Sequence, residues 1–120
     1  MVWTVDFYEE EDGLAPVEEF LQSLPKGHRA KALAIIKILE QEGVGLRFPY
    51  SSQVRGRIRE LRTQKGKERI RILYFGDSRR WFILLHGIIK RTGKLNDADI
   101  QVAESRMHDH ERRLERRQSP

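Results

Sequence analysis

The 120-residue chain has no cysteine, so disulfide frameworks and thiolate metal sites are excluded. No apolar run is long enough to cross a bilayer, and the N-terminus lacks a signal-peptide pattern, so a cytoplasmic protein is expected. No His, Asp or Glu spacing matches a zinc or magnesium site. P-loop, Rossmann and nucleophile motifs are missing too, so neither metal nor cofactor is expected. Positive charge is missing from the first 25 residues, which hold seven acids (Asp6, Glu9, Glu10, Glu11, Asp12, Glu18 and Glu19) and no Lys or Arg. The formal net charge of +5 therefore understates the asymmetry: the other 95 residues carry 23 bases against 11 acids, a balance of +12.

The chain does have a basic hairpin pattern, IRELRTQKGKERIRILYF, from Ile58 to Phe75. Between Arg55 and Arg71 there are eight bases and two acids. Arginines alternating with Ile and Leu project a row of guanidinium groups from a pleated strand. A guanidinium keeps its proton and offers a planar fork of donors suited to phosphate oxygens. A sheet carrying several of them is expected to receive a polyanion, and the charge concentration fits nucleic acid.

Composition, 38% hydrophobic and 34% charged, supports one domain with a modest core. A domain over 1–110 and a fraying basic tail over 111–120 are expected. Val2 to Tyr8 reads as a strand. Pro16 opens a helix with Val17, Phe20 and Leu21, and a longer helix follows from about Arg29 to Gln41, its apolar face made by Leu33, Ile35, Ile36, Ile38 and Leu39. Residues 46–56 read as a loop or a short irregular strand, and three strands follow at about 57–63, 68–76 and 80–89. Asn96 caps a last helix, with Asp99 placed as in a capping box and Ile100, Ala103 and Met107 on one stripe. The expected class is α+β, in the order β-α-α-β-β-β-α. Its helices would pack on one face of a small, mostly antiparallel sheet and leave the other face for a ligand.

Arg62 and Arg71 are the leading candidates for a phosphate clamp; the competing reading is an ion pair with Glu60 inside the sheet. Lys90, Arg91 and Lys94 bring three more cations to the loop after the last strand, where Lys90 or Lys94 could serve as a base. His86, inside a strand, reads as a hydrogen-bonded core residue before a catalyst. His108 and His110 do not form a metal pair on a helix, although one of them could reach the sheet as a proton donor.

Glu60-Leu61-Arg62, the RIRILYF strand, LLHGIIKRTGK and a helix ending AESRMHDH together resemble the phage-derived, HigB-type branch of the RelE/ParE toxin superfamily over about residues 1–110. The resemblance implies a RelE-like microbial RNase fold. It also implies a toxin–antitoxin toxin that cuts mRNA in the ribosomal A site without a metal, by attack of the ribose 2′-OH on the adjacent phosphate. By position, Arg71 matches a phosphate contact and Arg91 a residue that stabilises the transition state or protonates the leaving group, with Lys90 before it. His110, with Asp109, matches the acid-and-histidine cluster of HigB-type relatives. Arg59, Arg62, Lys65, Lys67, Arg69 and Lys94 remain as RNA-binding candidates. Ile58 and Glu60 stand near the places of second-strand lysines in RelE-like enzymes, and Ile100 replaces a tyrosine, so the base stays unassigned. The implied partners are mRNA on the ribosome and a helix-turn-helix, HigA-like antitoxin, with the chain a monomer or part of a toxin–antitoxin hetero-oligomer; no membrane partner is expected. The competing functions are a non-enzymatic ParE-like toxin that binds gyrase and a basic nucleic-acid-binding module.

Overall fold

Alternating Ile and Arg in the basic segment form the centre of the fold, an antiparallel pair of β3 (Ile58–Lys65) and β4 (Glu68–Gly76). Gly66, at φ +60°, begins the two-residue loop between them, where a hairpin turn favours glycine. The structure, a computed structural model, describes residues 2–91 and 93–118; Thr92 of the basic loop and the last two residues of the expected tail lie outside them. Its further elements are β1 (Val5–Phe7), α1 (Pro16–Ser23), α2 (Lys26–Glu42), a 3₁₀ turn (Gly43–Gly45), β2 (Ser51–Arg55), β5 (Phe82–Lys90) and α3 (Asp97–Gln118).

The sheet order is β1-β5-β4-β3-β2. Only β1 runs parallel to its neighbour, with Val5 opposite Phe82 and Phe7 opposite Leu84. The α+β class and the broad element order agree with expectation, and of the two readings of residues 46–56 the short irregular strand is the one found. Residues 51–55 form a true strand, paired with β3 from Leu61 to Ile58 across a register shift between Gln53 and Arg55. This shift hides the period-two pattern by which a strand is read from sequence. The helices, expected on one face of the sheet, cover both: α1 and α2 pack on one and α3 on the other.

One core holds Val17, Leu21, Ala32, Ile35 and Leu39 of α1 and α2 against Leu61, Ile70, Ile72, Tyr74 and Leu84. Gly87 lets α1 approach: a Cβ there would lie 2.3 Å from the ring of Phe20. The second core holds Ala103 and Met107 of α3 against Ile58, Leu73, Phe75, Ile83 and Leu85. Strand alternation lets β4 and β5 serve both cores: Ile70, Ile72, Tyr74 and Leu84 face the first, and Leu73, Phe75, Ile83 and Leu85 the second.

α2 begins three residues before the expected Arg29, and Leu33 is half exposed instead of lying on the apolar face. Asn96 does cap α3, accepting the Asp99 N–H at 2.9 Å. That helix does not fray after His110. It continues to Gln118 because Leu114 is buried, Arg57 pairs with Glu111, and Arg113 reaches Asp109 and the Glu9 carbonyl. Among the described residues no helix is long and apolar enough to cross a membrane.

Candidate phosphate-binding site on the open part of the sheet

α3 packs over the part of its sheet face that carries Ile58, Phe75, Ile83 and Leu85. On the same face, pairing sets Arg62 beside Arg71 and Arg71 beside Ile88, and in the next row Gln64 beside Arg69 and Arg69 beside Lys90. The sheet thus brings together Arg62, Arg69, Arg71 and Lys90 of the expected site.

Arg71 is 6% exposed, unusual for a residue type that is seldom buried without a partner. Its terminal NH2 group donates to the Gly93 carbonyl, which ties β4 to the loop carrying Arg91 and Lys94. Its Nε lies 3.9 Å from Glu60 Oε2, too far for a hydrogen bond, and neither atom has another partner among the described residues. Glu60 Oε1 accepts from the Ser52 hydroxyl at 3.3 Å and lies 3.5 Å from Arg62 Nε. One buried carboxylate therefore serves two guanidinium groups, and Arg71 keeps an unused buried donor. The ion pair with Glu60 that the sequence suggested is present for both Arg62 and Arg71.

Arg91 and Lys94 are exposed in the loop that follows β5. Lys90 Nζ lies 3.6 Å from Asp99 Oδ2, and Asp99 Oδ1 lies 2.9 Å from His86 Nε2. The other ring nitrogen of His86 faces Arg106 at 3.4 Å. Both nitrogens of His86 are thus engaged within the protein, as expected of a core histidine. The Asp99 carboxylate does not turn back to complete a capping box, because strand β5 offers it a histidine and a lysine.

The other candidates lie elsewhere. Arg59 binds Ser51 Oγ at 3.1 Å, and its strand position faces Tyr74 in the core under α1 and α2. Lys65 extends over Gly27 at the start of α2 on that same face. Lys67 is exposed in the hairpin loop. His110 stands at the other end of β4: its Nε2 is 3.1 Å from Asp77 Oδ2, and Asp77 is six positions, about 20 Å of strand, from Arg71. The sheet therefore does not bring His110 to Arg71 and Lys90. Asp77 organises the β4–β5 turn, accepting from the backbone N–H of Arg79 and Trp81 and from the Arg79 side chain. Burial pushes its carboxyl up, but bonds from Arg79, His110 and those amides outweigh burial and hold it below the usual range. Asp109 is also held low, first by the Tyr8 hydroxyl at 2.8 Å and then by Arg113 and Arg112.

Sequence reasoning missed a groove of about 490 Å³ around the edge of β3. Its walls include Lys31 and Ile38 of α2, Tyr50, Arg62 and Arg71; four of its lining residues are cationic and none is acidic. It exists because β2 leaves β3 after Leu61, with only the Arg62 N–H bonded onward, to the Tyr50 carbonyl. The break in pairing has no clear sequence signal, since it falls within the irregular stretch before the hairpin.

Comparison with known proteins then connects this arrangement to a family. Residues 19–108 match the family model described as Phage derived protein Gp49-like (DUF891). The chain belongs to that family. Gp49-like proteins are the RelE/HigB-type toxin family of toxin–antitoxin systems, so the resemblance carried by ELR, RIRILYF and LLHGIIKRTGK holds. The match runs from α1 into α3 and includes every strand of the basic surface. A search of the curated proteins gave no match.

Proposed function

We propose that this Gp49-like toxin is a ribosome-dependent mRNA endonuclease that inhibits translation. The observation that carries the reading is Arg71, buried with an unused Nε donor, beside Arg62 on a cationic part of the sheet. In this reaction the ribose 2′-oxygen attacks the neighbouring phosphorus and the bond to the 5′-oxygen breaks. The products are a 2′,3′-cyclic phosphate and a 5′-hydroxyl; the 2′-OH proton passes to a base, and an acid supplies one to the leaving oxygen. Arg71 and Arg62 hold the non-bridging oxygens, and exposed Arg91 meets the charge that develops on the phosphorane. Lys90 and Lys94 are the nearest candidates for proton transfer. Arg69 and Lys94 extend the RNA path, whereas Arg59 and Lys65 support the fold from the other face and His110 braces α3 to the Asp77 turn.

The ribosomal substrate implies work in the cytoplasm. The +12 balance over residues 26–120 supports an anionic antitoxin as the cover of the idle toxin, and a HigA-like, helix-turn-helix protein is proposed. The test is primer extension on a reporter mRNA after induction, with and without translation blocked. Cleavage should need translation and fall at least 100-fold in Arg71→Ala, an effect of about 3 kcal/mol on the transition state. Growth arrest with intact transcripts would refute the nuclease and point to a protein target such as gyrase.

A further inference from the structure

Pro49 and Tyr50 line the groove, and Phe48 stands next to them; the Phe48 and Tyr50 rings are largely exposed, at 73% and 53%. The backbone beneath them is fixed: the Tyr50 and Ser51 N–H groups bond to the Arg47 carbonyl, and the Tyr50 carbonyl accepts the Arg62 N–H at 2.8 Å. The Arg62 guanidinium sits 5.6 Å above the Phe48 ring, and Arg71 lines the same groove. Two exposed rings thus stand beside the Arg62 and Arg71 side chains, at a groove whose lining residues include no acid. Resting on the nuclease reading, we propose that Phe48 and Tyr50 form a stacking shelf for an unpaired RNA base next to the phosphate held by Arg62 and Arg71.

The chemistry favours single-stranded RNA over an acidic peptide. Flat π-faces beside a cationic track serve stacked bases of any sequence. Unpaired strands splay their bases onto aromatic side chains, whereas an A-form duplex keeps them inside. The shelf thus supplies the grip on the substrate that the arginines, which see only phosphate, do not.

The test titrates a fluorescent 2′-O-methyl oligoribonucleotide, which has no attacking hydroxyl, and a series of the same oligonucleotide with one abasic position moved along it. Phe48→Ala and Tyr50→Ala should each weaken binding by about 5-fold or more. The salt dependence should keep its slope, because no phosphate contact is removed. One abasic position should weaken the wild-type chain by a similar factor and leave Phe48→Ala/Tyr50→Ala almost unaffected. The proposal is overturned if the wild-type chain does not bind, if the variants bind as wild type, or if abasic positions cost both chains equally. It is also overturned if RNA binding is unchanged while a polyglutamate peptide binds the variants less well, which would assign the shelf to an acidic protein. Stacking without cleavage of translated mRNA would keep the shelf and remove the nuclease; unchanged cleavage by the double variant would do the reverse.

Discussion

Glu60→Gln should reveal what the central carboxylate does. Glu60 is 6% exposed, and its two oxygens lie 3.5 Å from Arg62 Nε and 3.9 Å from Arg71 Nε. At the longer distance the attraction is about 4 kcal/mol for an effective dielectric of about 20. Removing one partner of a buried pair costs about 3–5 kcal/mol, because the other charge is left without compensation. The amide keeps the shape and can still accept from Ser52, so a loss of about 3 kcal/mol is expected, or roughly 10 °C in Tm. The measurement is urea unfolding at pH 7, repeated over a series of sulfate concentrations. Sulfate should stabilise the variant more than the wild-type chain, since arginines no longer neutralised by Glu60 hold an anion more tightly on the folded state. A variant within about 0.5 kcal/mol of wild type, or one with no greater response to sulfate, would refute the account of Glu60 as the shared counter-charge.

Two further predictions concern the opposite end of the sheet and the last helix. Asp77→Asn should destabilise the chain by roughly 3 kcal/mol, through the loss of a buried carboxylate that accepts from Arg79, His110 and two amides. Because folding lowers the pKa of Asp77, its stabilisation is complete above the unfolded value near 4 and is lost as pH falls through the folded value; urea midpoints of wild type and variant should therefore converge in acid. Leu114→Ala should cost about 2 kcal/mol, since that side chain is 7% exposed at the end of α3, and a thermal melt unchanged within a degree would restore a frayed tail.

The sheet was legible wherever its sequence kept a strict period. Ile70, Arg71, Ile72 and Leu73 announce β4, and Gly66 the hairpin turn, because pleat and turn chemistry are local. β2 was obscured by its bulge, and the Ile58–Phe75 alternation gave no clean in/out split because both faces of the sheet meet helices. Tertiary partners explain most of the other differences. Asp99 looked like half of a capping box until β5 supplied His86 and Lys90 as neighbours. His110 does reach the sheet, as the sequence allowed, but at the Asp77 turn, a strand's length from Arg71. The pairing of Arg62 with Arg71 follows from the hairpin register and was foreseeable; the aromatic strap beside them follows from where β2 stops, which no local pattern encodes.

The parallel pairing of β1 has a consequence for synthesis. β1 leaves the ribosome first, yet its hydrogen-bonding partner β5 begins at Phe82, so the N-terminal strand must wait for most of the chain. The cationic surface is likewise drawn from β3, β4 and β5, all encoded after residue 57. Without β5 neither the pairing of β1 nor the Lys90 end of the cationic surface can form, so both wait on the same strand.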